Sequence, residues 1–141
     1  MKIKTSFVTN SSSTSFIIVS DGEFTAEEFS EALGVKNTSP LFEIFNELYL
    51  STLHNSSDLN EEYEREKLIE NYKDFESFLR EKYSFNEQTV KKILEGFDKG
   101  KRILVGQLSS DGESDAEQFF VTESFFGESP KMFIEGIENA W

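Results

Sequence analysis

The 141-residue chain has the length of one domain and carries 27 Asp and Glu against 14 Lys and Arg, a formal charge of −13 that disfavours direct contact with a nucleic-acid backbone. The absence of Cys excludes disulfides, thiolate zinc sites and cysteine nucleophiles, while fifteen Phe, four Tyr and one Trp predict an aromatic-rich core. No apolar run approaches the roughly 18 residues of a membrane span, and Met1-Lys2-Ile3-Lys4 leads into polar residues rather than an apolar secretion segment, so a cytoplasmic protein with no membrane partner is expected.

Taken in chain order, residues 3–9 alternate loosely and are rich in strand formers, and Phe16-Ile17-Ile18-Val19 is a short β-branched run; both read as strands, joined by the polar loop Asn10–Ser15. A first helix starts at Thr25, whose side chain caps while Glu28 reaches back, and ends near Gly34. Pro40 opens a second helix in which Leu41, Ile44, Phe45, Leu48, Leu50 and Leu53 recur at helical spacing, an apolar face wide enough to predict a central position. Residues 59–83 place Leu59, Tyr63, Leu68, Ile69, Tyr72, Phe75, Phe78, Leu79 and Tyr83 at intervals that fit one long helix or two consecutive ones. Ser84 and Glu87 fit another capping box, after which Val90, Ile93, Leu94 and Phe97 hold one face until Gly100.

The period then changes. Arg102–Leu108 reads as a strand, Ser109–Gly112 as a turn, Ser114–Phe120 as a short helix reaching towards Phe125, and Met132–Ile134 as a last strand. The fold class is therefore α+β or mixed α/β: a small mixed sheet of order ββ…βαβ with a helical insertion. It is read as a single domain over 1–141, with strands and loop at 1–21, helices at 25–100 and a β-α-β unit at 101–137. Charge follows the same division. Residues 1–60 hold three basic and eight acidic side chains, 61–100 eight and eleven, and 101–141 three and eight, so the middle is mixed and the ends are acidic.

Chemistry-bearing patterns are few. His54, the only histidine, follows an apolar helix end with no nucleophile-elbow spacing nearby, and reads as a helix-terminal surface residue. The Asn-X-Ser triplets at Asn10, Asn37 and Asn55 read as turn and capping residues. Asp111-Gly-Glu113-Ser-Asp115-Ala-Glu117 spaces carboxylates like a calcium loop, but Ala116 stands where the turn glycine is needed and Thr122 where the bidentate Glu should be. A turn leading into an acidic helix start accounts for it, so no metal and no cofactor are assigned, with weak Mg²⁺ or Ca²⁺ binding as the alternative reading. The loop Asn10-Ser11-Ser12-Ser13-Thr14-Ser15 offers hydroxyls and backbone N–H groups to an anion, although no Lys or Arg occurs from residue 5 through 35. The candidate ligand-binding residues are accordingly Asn10, Ser11, Ser12, Ser13, Ser15, Asp111 and Glu113.

The segment Phe7-Val-Thr-Asn-Ser-Ser-Ser-Thr-Ser-Phe16 resembles an N-terminal signature that heads many uncharacterised bacterial, archaeal and phage proteins. The match covers under a tenth of the chain; it implies a phage or mobile-element origin and no particular activity. With an acidic surface and no complete catalytic constellation, the expected function is a non-enzymatic interaction protein whose partner carries a basic surface. The alternative is a small ligand-binding protein or enzyme that uses the Ser-rich loop and the acidic turn together.

Overall fold

The computed structural model describes residues 13–109 and 124–138. At its centre lies β1, Ser13–Ser20, whose Phe16, Ile17, Ile18 and Val19 are all buried. An apolar run without alternation demands cover on both faces, and the fold supplies it with a helical layer on each side of the sheet. The chain continues through α1 (Ala26–Ala32), α2 (Phe42–His54), β2 (Ser56–Asp58), α3 (Leu59–Glu66), α4 (Phe75–Lys82), α5 (Glu87–Asp98), β3 (Arg102–Ser109), β4 (Phe125–Ser129) and β5 (Met132–Glu138). This is an α+β fold with the helices inserted between the first and third strands.

The sheet order is β2-β3-β1-β5-β4, and each neighbouring pair is antiparallel. The parallel pair expected of a β-α-β unit is not formed. The two strands that unit would join, β3 and β5, do run the same way, but β1 lies between them and pairs with both. Phe125, towards which the expected helix 114–120 reaches, starts β4, because Phe125–Glu138 folds back on itself as a hairpin turning at Pro130 and Lys131. The strand expected at 3–9 and the helix expected at 114–120 lie outside the described residues.

Side-chain alternation divides the core. Phe16 and Ile18 of β1, Leu104 and Leu108 of β3, and Met132 and Ile134 of β5 face α1 and α2, with Phe24, Phe29 and Leu48. Ile17, Val19, Ile103, Val105 and Phe133 face the other layer, with Leu59, Phe75, Phe78, Leu79 and Ile93. Two glycines admit close approach. A Cβ on Gly127 would lie 2.3 Å from the Ala32 carbonyl oxygen, so α1 sits directly on β4; one on Gly106 would lie 2.2 Å from the Asn55 carbonyl oxygen, where α2 turns into β2.

The expected helix starts are met at α1, where Thr25 Oγ1 accepts from Glu28 N–H at 3.1 Å and Glu28 Oε1 accepts from Thr25 N–H at 3.0 Å. They fail at α5, which is capped by Asn86 rather than Ser84: its Oδ1 accepts from Thr89 N–H at 2.9 Å, and Tyr83 is already extended. Residues 59–83 form two helices, α3 and α4, and Leu68 and Ile69 sit in the loop between them at 83% and 81% exposure rather than on a buried face. Asp58 caps α3 and Asp74 caps α4, which is why each helix begins afresh. Helix α2 is less central than its sequence suggests: Leu48 is buried, Ile44, Phe45 and Leu53 are half-buried, and Leu41 and Leu50 are exposed.

Candidate functional site

Of the candidate ligand-binding residues, Ser13 and Ser15 lie on β1, Ser13 half-buried and Ser15 buried. Ser13 stands opposite Ser109 of β3, and Ser15 opposite Gln107, whose Nε2 donates to Ser15 Oγ at 3.4 Å. Asn10, Ser11, Ser12, Asp111 and Glu113 lie outside the described residues. The chain therefore enters β1 from the Ser-rich segment and leaves β3 towards the acidic segment at one end of the sheet, on neighbouring strands. His54 is the exposed last residue of α2, as expected, and Asn55 caps that helix by donating from Nδ2 to the Ser51 carbonyl at 2.8 Å. Asn37 likewise serves structure, donating to Glu27 Oε2 at 2.8 Å.

A cleft of about 450 Å³ opens at the opposite end of the sheet, between the start of α1 and the β4–β5 turn. Four carboxylates, Asp21, Glu23, Glu28 and Glu31, line it together with the Lys131 side chain. Lys131 Nζ lies 3.3 Å from Glu28 Oε2, and Asp21 Oδ1 accepts from Lys101 Nζ at 3.1 Å. The Thr25 backbone N–H, and after it the Lys131 ammonium, hold the Glu28 carboxyl below its ordinary value. Glu23 and Glu31 are exposed and form no ion pair among the described residues. No group of three or more His, Asp or Glu placed to hold a metal occurs among the described residues, and no helix there is long and apolar enough to cross a membrane.

This cleft belongs to a wider asymmetry between the two helical layers. Residues 21–58, which include α1 and α2, hold eight carboxylates and one lysine, Lys36. Residues 59–101, which include α3, α4 and α5, hold eleven carboxylates and nine basic side chains. Placement sharpens the contrast. On α3, α4 and α5 a Glu precedes a Lys or Arg by four residues at Glu61 and Arg65, Glu76 and Arg80, and Glu87 and Lys91, the orientation that stabilises a helix. Arg80 realises it, with Nε 2.9 Å from Glu76 and a second contact to Glu87 at 2.8 Å. On α1 and α2 the same spacing pairs Glu27 with Glu31 and Glu43 with Glu47, like charges on one helix face. Glu27, Glu31 and Glu43 are exposed, and none of the four forms an ion pair among the described residues. Counting charge by thirds of the chain conceals this signal; comparing i and i+4 within each helix displays it once partners are included, since α3 also spaces Glu62 and Glu66 by four but both pair with Lys82.

No protein-family model, curated protein or solved structure matches the chain.

Proposed function

We propose that the protein is a non-enzymatic interaction module that recognises a basic protein surface through the α1–α2 side of its sheet. The observation that carries this reading is the pair of Glu–Glu spacings on α1 and α2 that no basic side chain bridges among the described residues, set against the other three helices, where Glu precedes Lys or Arg and where the Glu62 and Glu66 pair of α3 is bridged by Lys82. A phage or mobile-element origin, implied by the Phe7–Phe16 signature, makes a cytoplasmic host protein the natural target. The 450 Å³ cleft at the start of α1 gives the surface a concave acidic point able to take a protruding basic side chain.

The test uses a variant that improves the helices while removing the field. Glu31→Lys with Glu47→Lys converts both like-charge pairs into the favourable order, so folding stability rises by about 0.4–1 kcal/mol per site. Wild type and variant are compared in capture from host lysate at low and high salt. The reading requires a protein that wild type retains at low salt, that high salt releases, and that the more stable variant fails to retain. Identical retained proteins for the two forms reject it.

A second reading, ligand binding at the other end of the sheet, is supported by the opposition of Ser13 and Ser109 on neighbouring strands. Under that reading Asp111→Asn or Ser12→Ala abolishes binding of a small ligand and Glu31→Lys leaves it intact.

A further inference from the structure

On the face of the sheet away from α1 and α2, helix α5 and the β5–β4 hairpin enclose a groove of about 370 Å³. Its floor and far wall are Phe133, Glu135 and Phe126; its near wall is α5, with Gln88, Thr89, Lys91, Lys92 and Glu95, so two ammonium groups and two carboxylates line it in all. Three features distinguish it from an ordinary surface crease. Phe126 is 59% exposed, yet its ring is held edge-to-face against Phe133, with centroids 5.6 Å apart at 77°. Glu135 stands opposite Phe126 in the β4–β5 register, so the carboxylate and the aromatic ring are side by side on one face. The buried Thr89 hydroxyl donates to Glu135 Oε1 at 2.5 Å, fixing the carboxylate from one side, while Oε2 accepts no hydrogen bond among the described residues.

An aromatic wall beside an oriented carboxylate is a receptor for an organic cation: the ring face attracts the charge, and the carboxylate supplies the ionic hydrogen bond. The molecule already uses this chemistry at the neighbouring position. Lys92 Nζ lies 5.7 Å from the Phe133 ring centroid and 2.7 Å from Glu128 Oε2, an ammonium shared between an aromatic face and a carboxylate. Lys92 and Glu128 are each over 40% exposed, so this internal pair is readily displaced by solvent or a ligand.

We propose that the α5–β4 groove binds a guanidinium or alkylammonium group on an aliphatic stem, its charge on Glu135 and its stem along Phe126, with Lys92 as an internal competitor for the same groove. The volume suits an arginine-sized group with accompanying water. This proposal does not rest on the recognition surface assigned to α1 and α2, which lies across the sheet.

Titration of the full chain with butylguanidinium, followed by NMR shifts of the Thr89, Phe126 and Glu135 amides, tests it, with neutral butylurea, its isostere, as control. A capped Gly-Gly-Arg-Gly-Gly peptide separates a free small cation from an arginine side chain, because a groove built for a protein side chain binds the peptide at least as tightly as butylguanidinium. The cation is expected to bind at least tenfold more tightly than its neutral isostere. Glu135→Gln, which keeps a partner for Thr89, and Phe126→Ala, at an exposed position, each weaken it tenfold or more. Lys92→Met strengthens it severalfold, a gain that loss of structure does not produce. The Glu31→Lys, Glu47→Lys variant binds as wild type, which separates groove binding from general attraction to acidic helices. Equal affinity for the cation and its isostere, weaker binding by Lys92→Met, or loss of the shifts in the Glu31→Lys, Glu47→Lys variant overturns the proposal.

Discussion

Replacing Tyr83 by Phe tests the most heavily desolvated charge described in the molecule. Glu62 of α3 is only 9% exposed, and its Oε1 accepts from Tyr83 Oη at 2.5 Å and from Lys82 Nζ at 2.9 Å. Lys82 also reaches Glu66, so one ammonium and one phenol tie the end of α4 to α3. A hydrogen bond to a charged group contributes about 1.5–3 kcal/mol, and because Lys82 remains on the same oxygen the loss in Tyr83→Phe falls in the lower half, about 1.5–2 kcal/mol. For a chain of this size that lowers Tm by roughly 6 °C. Urea denaturation followed by circular dichroism reads it as a lower midpoint at unchanged slope. Burial first, and the bond to Glu62 second, raise the Tyr83 pKa above its ordinary value of 10.0. Its folded value thus exceeds its unfolded one, so its contribution is complete below pH 10 and is lost as pH rises through the folded value. The wild type loses stability on that alkaline limb, and Tyr83→Phe loses less. A change under about 0.5 kcal/mol at pH 7, with an unaltered alkaline limb, means that Glu62 is solvated and the reasoning fails.

Two further substitutions test the core and the first helix start. Phe16→Ala empties a fully buried position on the central strand and is expected to cost about 3–5 kcal/mol in urea denaturation; a loss below about 1 kcal/mol refutes its place in the core. Thr25→Ala removes the side-chain cap of α1 and is expected to cost about 1 kcal/mol at neutral pH, a thermal melt at wild-type temperature being the refuting result. The Glu28 carboxyl sits below its ordinary value, so its contribution is present above the unfolded pKa and is lost as pH falls through the folded one, giving an acid limb that Thr25→Ala retains through the intact Thr25 backbone N–H.

Much of the architecture was legible wherever local chemistry and tertiary demand agree. The Thr25 and Glu28 box starts α1, and the unbroken run Phe16–Val19 becomes a doubly covered strand. Legibility fails where partners distant in sequence decide. Ser56-Ser57-Asp58 has no strand composition, yet it pairs with Gly106, Val105 and Leu104 because Gly106 lets the α2–β2 turn approach β3. Leu68 and Ile69 carry the helical spacing of a buried face, but Asp74 caps a new helix and leaves them in an exposed loop. Phe125-Phe126-Gly127 followed the expected helix in the chain, and its strand identity depends on pairing with β5, with Phe125 against Gly136. The groove eluded sequence reading for the same reason: cross-strand register places Phe126 beside Glu135, and the packing of α5 on the sheet brings Thr89 to Glu135.

The charge on α1 and α2 is costly to the free protein, a cost that the proposed recognition role accounts for and that solubility alone does not require. Solubility depends on net charge, which is insensitive to where the carboxylates sit. Spacing two of them at i and i+4 on an exposed face costs a few tenths of a kcal/mol per pair. Glu31 adds to this, since it lies in the last turn of α1, where the helix dipole favours a cation and no basic residue is present. Glu61, Glu76 and Glu87 show that the same chain elsewhere places a compensating base four residues on. A like-charge pair recurs on α3 at Glu62 and Glu66, but there Lys82 bridges it, whereas no basic side chain among the described residues bridges the pairs on α1 and α2. On the proposed reading an opposing basic surface neutralises this concentrated like charge, and the repulsion carried by the free helices is relieved on association. That reading makes screening act with opposite signs on the two states: added salt relieves repulsion within α1 and α2, and it weakens the proposed complex.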